Sequence, residues 1–239
     1  MTSLATMTAT RIVVQHGDFQ IEEFARGAGP RIVMIPSRDL GASNGPIANI
    51  TLHDYANDVA AVIAHDGGGP TIVAGHAFGN FVARTTAADY PELVRAVVLL
   101  AATHTWPLAS ELRDAINKSH MMFLPDEVRL RHLQHVFFAP GNDPRVWLGG
   151  WNEDVMHAER DATEATPKVE WWTAGTAPVL DVLSLNDPLS PPESTNCYRD
   201  QWGADRVEIV SIDIAAHAPL PEQPAAVAEA IIAYMKRLK

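Results

Sequence analysis

The feature that most constrains this chain is an alternation in which short, β-branched apolar runs take turns with helix-patterned segments. Arg31 to Pro36 is a continuous apolar run, followed by a predicted helix from Tyr55 to His65 and a strand from Thr71 to Gly75. A helix from Asn80 to Tyr90 and a strand from Ala96 to Ala101 come next. Strands buried on both faces read as unbroken apolar runs, and strand–helix–strand repeats close as right-handed parallel units. The chain therefore predicts an α/β fold: a mostly parallel central sheet with helices on both faces. Ahead of it, Arg11 to His16 and Phe19 to Phe24 alternate apolar and polar residues around Gly17-Asp18, a pair suited to a tight turn, so an N-terminal β-hairpin is expected.

The alternation stops at Thr105. From there to Trp172 the pattern is helical in part, is broken at Pro125, between Pro140 and Pro144 and at Pro167, and holds five of the six tryptophans. This reads as a small helical cap, residues 105–172, inserted into a core made of residues 1–104 and 173–239. The strand–helix pattern resumes with Val179 to Leu185, a helix from Ser194 to Trp202, a strand from Arg206 to Ile212 and a closing helix from Pro224 to Leu238. Ser194 and Pro224 are suitable helix-start residues.

At 239 residues the chain supports one well-buried core. A net charge of -11 with no Lys/Arg run disfavours nucleic acid and anionic membranes as partners, because both repel an acidic surface. The start, Met1 to Thr10, lacks a basic stretch followed by a long apolar one, and apolar runs such as Ala96 to Ala102 fall far short of the ~20 residues of a membrane span. One cysteine, Cys197, excludes an internal disulfide framework and fits a reducing cytoplasm. A soluble cytoplasmic monomer or homodimer is the expectation.

Three stretches carry candidate chemistry. Thr71-Ile72-Val73-Ala74-Gly75-His76-Ala77-Phe78-Gly79-Asn80 places two glycines around a sharp strand-to-helix turn. Pro178 to Pro188 is a strand running into a loop that carries Asp187, and Ile212 to Pro219 is a strand and loop carrying His217. Together they resemble the α/β-hydrolase superfamily. The first resembles its nucleophile elbow, G-x-S-x-G, with Ala77 where Ser stands; the others resemble the loops that deliver its acid and its histidine, in the family's chain order. The resemblance implies Ala77 as the nucleophile position, Asp187 as the acid and His217 as the base, with no cofactor and no metal. An imidazole needs a carboxylate to fix its tautomer, and that pairing survives whatever residue 77 is.

A methyl group cannot attack a carbonyl. Three readings stay open: a Ser-to-Ala replacement that disables a hydrolase, a non-hydrolytic relative such as a lyase or cofactor-independent oxygenase using His217 and Asp187 as a base, and a binding protein that kept the pocket without turnover. The segment after Ile35 also departs from the family. Pro36-Ser37 runs almost directly into Arg38-Asp39-Leu40-Gly41-Ala42-Ser43, so the fold is expected to be one αβ unit short near residues 36–50. The oxyanion hole implied by the resemblance uses the backbone N–H of Phe78, with Ser37 or Arg38 as the second donor.

Among the other residues, His76 reads as a packed or loop histidine, and His132 and His135 lack a third ligand nearby. Cys197 reads as a small hydrophobe in a helix. Trp106, Met122, Phe137, Trp147 and Trp151 are expected to line the pocket, because a cap crosses the carboxyl ends of the strands where ligands bind. The substrate implied is a small apolar molecule, and the parent activity a serine-type hydrolysis of a carboxylic ester or lactone.

Overall fold

The computed structural model describes residues 9–35, 43–102 and 108–238. The expected hairpin is formed by β1 (Thr10–His16) and β2 (Phe19–Ala25), paired antiparallel about Gly17, whose φ of 55° is the positive value the turn requires. The second sheet contains β3 (Ile32–Ile35), β4 (Thr71–His76), β5 (Val94–Leu100), β6 (Val179–Ser184) and β7 (Val207–Ile212), all parallel, in sequence order across the sheet.

The strand sequences explain why both faces are covered. Side chains alternate along a strand, so Ile72, Ala74, Ala96, Val98, Leu100, Leu180 and Val182 share one face and Val73, Val97, Leu99 and Val179 the other. The first face packs on α9 (Pro224–Met235) through Val227, Ile231 and Tyr234. The second packs on α1 (Leu52–His65), α2 (Gly79–Asp89) and α7 (Cys197–Trp202). Thr51 starts α1 with a capping box, its hydroxyl accepting from the Asp54 N–H while the Asp54 carboxylate accepts from Thr51 N–H.

One polar position interrupts the second face. Asp181 of β6 is fully buried opposite Arg84 of α2, whose guanidinium lies 4.9 Å from the rings of Trp171 and Trp172 and 5.4 Å from that of Tyr198. Burial pushes the Asp181 carboxyl up to about 7, against the pull of Arg84.

Between β5 and β6 lie α3 (Ser110–His120), α4 (Asp126–Phe137), α5 (Glu153–Ala165) and the single turn α6 (Lys168–Trp171). The prolines that break the sequence pattern mark starts: Pro125 and Pro167 directly precede α4 and α6, where a missing N–H costs nothing. Several boundaries differ from expectation: α1 begins at Leu52 rather than Tyr55, directly after its cap Thr51, and α9 ends at Met235 rather than Leu238. The helix predicted from Ser194 begins at Cys197, because the Ser194 hydroxyl donates to Pro191 O at 2.6 Å and closes a separate short turn, Pro192–Ser194, behind two prolines.

The segment expected to be one αβ unit short is only partly described. Residues 36–42 lie outside the described residues, and between Ser43 and Thr51 there is a single bridge, Gln20 to Asn44, before α1 begins. Among the described residues β3 is an edge strand, and no ladder joins the hairpin to the main sheet. The space between hairpin and edge is a cavity of about 1090 Å³, bordered by β2, β3, α1 and α5 and reaching His76 and Phe78.

Candidate active site

The turn after β4 is built by close approach. Gly75 lies so near the start of α2 that an added Cβ would stand 2.1 Å from Gly79 O and 2.6 Å from Asn80 N. Ala77 has φ +49°, the left-handed region that a residue with a Cβ enters only when its surroundings impose it. Asn80, fully buried, provides part of that imposition: its amide donates to Leu100 O at 3.0 Å and its oxygen accepts from Leu100 N–H at 3.2 Å, tying the first turn of α2 to β5. Residue 77 is thus held on a strained strand-to-helix turn, and no carbonyl among the described residues takes the Phe78 N–H.

Asp187 and His217 arrive from the loops after β6 and β7. His217 Nδ1 lies 2.9 Å from Asp187 Oδ2, and both residues are buried. A carboxylate can only accept, so Nδ1–H donates and the neutral imidazole presents Nε2 as a proton acceptor. Asp187 is itself oriented, its Oδ1 accepting from Leu189 N–H at 2.8 Å. The loops are also joined to each other, Asn186 N–H donating to Ala215 O at 2.9 Å.

Two residues given no catalytic part at the sequence level hold this arrangement. His76, buried beside residue 77, donates Nε2–H to the His217 carbonyl at 2.6 Å, and the two rings are 5.4 Å apart. Its reading as a packed histidine understates it, because it fixes the backbone of the base. Glu222, in the single turn α8 (Pro219–Glu222), accepts from Ala216 N–H at 2.7 Å through one oxygen and from Ala139 N–H at 2.6 Å and the Asn142 amide at 2.8 Å through the other. It clamps the His217 loop to the end of α4. Burial raises its carboxyl above the usual range, and these three donors pull it back down. Glu222→Ala leaves buried donors unpaired and is expected to cost about 2–4 kcal/mol, read as a lowered Tm by calorimetry, with Glu222→Gln recovering part of the loss.

Of the aromatic residues expected to line a pocket, three come together over the base. Phe137 lies 5.6 Å from the His217 ring, 5.5 Å from Trp147 and 6.1 Å from Trp151, and Trp147 reaches His76 at 5.7 Å. Met122 is half exposed, outside this cluster. Trp106, Ser37 and Arg38 lie outside the described residues. The large cavity is bordered by a different set, including Tyr55, Phe78, Val155 and Glu159. Nothing in the local pattern distinguishes Glu159 from the surface carboxylates of α5; only its place at the border of the cavity does. Among the described residues no group of three or more His, Cys, Asp or Glu gathers as a metal site would require, and no helix is long and apolar enough to cross a membrane.

Comparison with known proteins follows the same lines. Residues 12–230 match the model of an alpha/beta hydrolase family. A 71-residue stretch is 37% identical to 2-(acetamidomethylene)succinate hydrolase of Mesorhizobium japonicum, a match covering 30% of this chain and about a quarter, 26%, of that protein's length. The crystal structure of an E-2-(acetamidomethylene)succinate hydrolase superimposes with a TM-score of 0.73 at 20% identity, over 95% of this chain and 99% of that one. A thermophilic esterase from Thermogutta terrifontis, solved with malate bound, gives 0.74 at 18% identity over 97% and 99%. At such identities the two structures speak for the fold.

Proposed function

This chain belongs to the α/β-hydrolase family, and from that premise we propose that its parent chemistry is hydrolysis of a small, largely apolar carboxylic ester or lactone, halted in this sequence at Ala77. The observation that carries the reading is the buried Asp187–His217 pair at 2.9 Å, oriented with Nε2 as acceptor and tied through His76 to the turn that carries residue 77. A general base so held serves to activate a hydroxyl at position 77 and then to protonate the leaving group. The Phe78 N–H, at the start of α2, is placed to receive the oxyanion. Ser37 or Arg38 supplies the second donor, and the helices between β5 and β6 form the cap, with Phe137, Trp147 and Trp151 as its apolar lining over His217. The esterase and the 2-(acetamidomethylene)succinate hydrolase among the similar structures are consistent with a hydrolytic reaction.

With a methyl group at position 77, binding outlives chemistry. Incubated with a panel of aryl esters and lactones, the chain is expected to bind at least one member and release it intact, as followed by equilibrium dialysis and mass spectrometry of the recovered ligand. A second reading is favoured by the same residue: an intact His–Asp pair beside Ala77 is the equipment of an enzyme in which His217 removes a proton from substrate or water without a covalent intermediate. Consumption of a ligand by the unaltered chain, abolished by His217→Ala, would establish that reading and remove the first.

A further inference from the structure

The cavity between hairpin and sheet edge contains a carboxyl that the proposed chemistry leaves unused. Glu159, on α5, borders it and has no hydrogen-bond or ion-pair partner for its side chain among the described residues. Glu23 also borders the cavity, its Oε2 buried without a partner, whereas three other carboxylates are engaged: Asp54 accepts from Thr51, Asp58 binds His16 Nδ1 at 2.8 Å, and Asp66 faces Arg31 Nε at 3.7 Å. Arg31 is thereby occupied as well. Two aromatic residues, Tyr55 and Phe78, border the same cavity, their rings in edge contact at 5.2 Å. The Tyr55 hydroxyl is shielded from solvent without a partner, and Glu159 is the charged group that bears on it most.

An unpaired carboxyl that shares a cavity with aromatic rings is the complement of an organic ammonium. The carboxylate supplies a charge-assisted hydrogen bond, and the ring faces attract a cation that water would otherwise hold. We propose that this cavity binds a primary ammonium group through Glu159, with Tyr55 and Phe78 as its aromatic wall, so that the substrate carries an amine on the arm pointing away from residue 77. The inference rests on the hydrolase reading for the placement of the reacting carbonyl at Phe78; recognition of the ammonium needs no turnover. The state of Glu159 agrees with an unmet charge partner: burial holds its carboxyl up at about 8, and a bound cation would restore the ionised form.

The test uses three probes of one size, phenethylammonium, 2-phenylethanol and 3-phenylpropanoate, titrated calorimetrically into the unaltered chain and into Glu159→Gln. Phenethylammonium is expected to bind at least about tenfold tighter than 2-phenylethanol, the difference one charge-assisted hydrogen bond supplies. Glu159→Gln should erase that preference while leaving 2-phenylethanol binding unchanged, which also reports that the variant is folded; Glu159→Met serves as a second variant. Equal binding of the ammonium and the alcohol, preference for 3-phenylpropanoate, or an ammonium preference that survives in both variants would overturn the assignment. Because no probe is an ester, a positive result with a catalytically inert Ala77→Ser variant would keep the ammonium site and discard the hydrolase reading. The reverse pattern would do the opposite.

Discussion

Ala77→Ser is expected to raise kcat/KM for an aryl ester at least ~1000-fold over the unaltered chain, the scale on which removing or restoring a catalytic nucleophile acts. The magnitude follows from what is already in place. Residue 77 is held at φ +49° by the approach of Gly75 to α2 and by the Asn80 bonds to Leu100, so a hydroxyl added there inherits a fixed position without rebuilding the turn. The His217–Asp187 pair is buried and correctly polarised without it. The same strain is borne by alanine and serine, so the substitution should leave Tm nearly unchanged. In the Ala77→Ser background, His217→Ala should remove about 10²–10⁴-fold of the gain, the usual contribution of a positioned general base. Steady-state hydrolysis of p-nitrophenyl esters by the variants, side by side, measures both effects.

Gly75→Ala should be the most damaging single methyl group in the chain. Its Cβ would stand 2.1 Å from Gly79 O, 2.3 Å from Gly79 C and 2.6 Å from Asn80 N, all backbone atoms at the start of α2. The helix cannot retreat, because the Asn80 side chain is bonded twice to Leu100 in the centre of the sheet. The expected loss is roughly 3 kcal/mol or more, a fall of about 6–12 °C in Tm for a domain of this size. Gly17→Ala is the control: its φ of 55° is positive, as that of Gly75 is not, and its added Cβ would meet nothing within 4 Å, so only the conformational cost of about 1 kcal/mol should appear. Thermal unfolding of the two variants separates collision from strain.

What was legible in the sequence is what depends on local pattern. β4, β5 and β6 stand out because strands buried on both faces are rich in apolar, β-branched residues, and Asp187 and His217 because each follows a strand pattern in a fixed chain order. The short span between Ile35 and Tyr55 was legible as a count of residues; its expected consequence, one αβ unit fewer near residues 36–50, falls partly on residues 36–42, outside the described ones. Contacts made across the fold were not. Glu222 reaches Ala139, 83 residues away, and His76 reaches the carbonyl of His217, 141 residues away. Asp181 sits in a strand that otherwise reads as wholly apolar, and its counterpart Arg84 looks like an ordinary polar residue of a helix until the aromatic enclosure is assembled around it. Glu159 shows the same limit: its residue type is visible, its burial is set by where α5 lands. Ser194 failed as a helix start for a local reason, since its hydroxyl found the Pro191 carbonyl first.

The central claim is that position 77, His217 and Asp187 form a nucleophilic centre lacking one hydroxyl. Covalent labelling of Ala77→Ser by diisopropyl fluorophosphate, followed by intact mass and peptide mapping, tests it most directly. The account predicts one adduct, located at residue 77, formed rapidly in that variant, absent from the unaltered chain and suppressed when His217→Ala is added. An Ala77→Ser protein that remains folded yet takes no label, or takes it at a rate indifferent to His217, would contradict it.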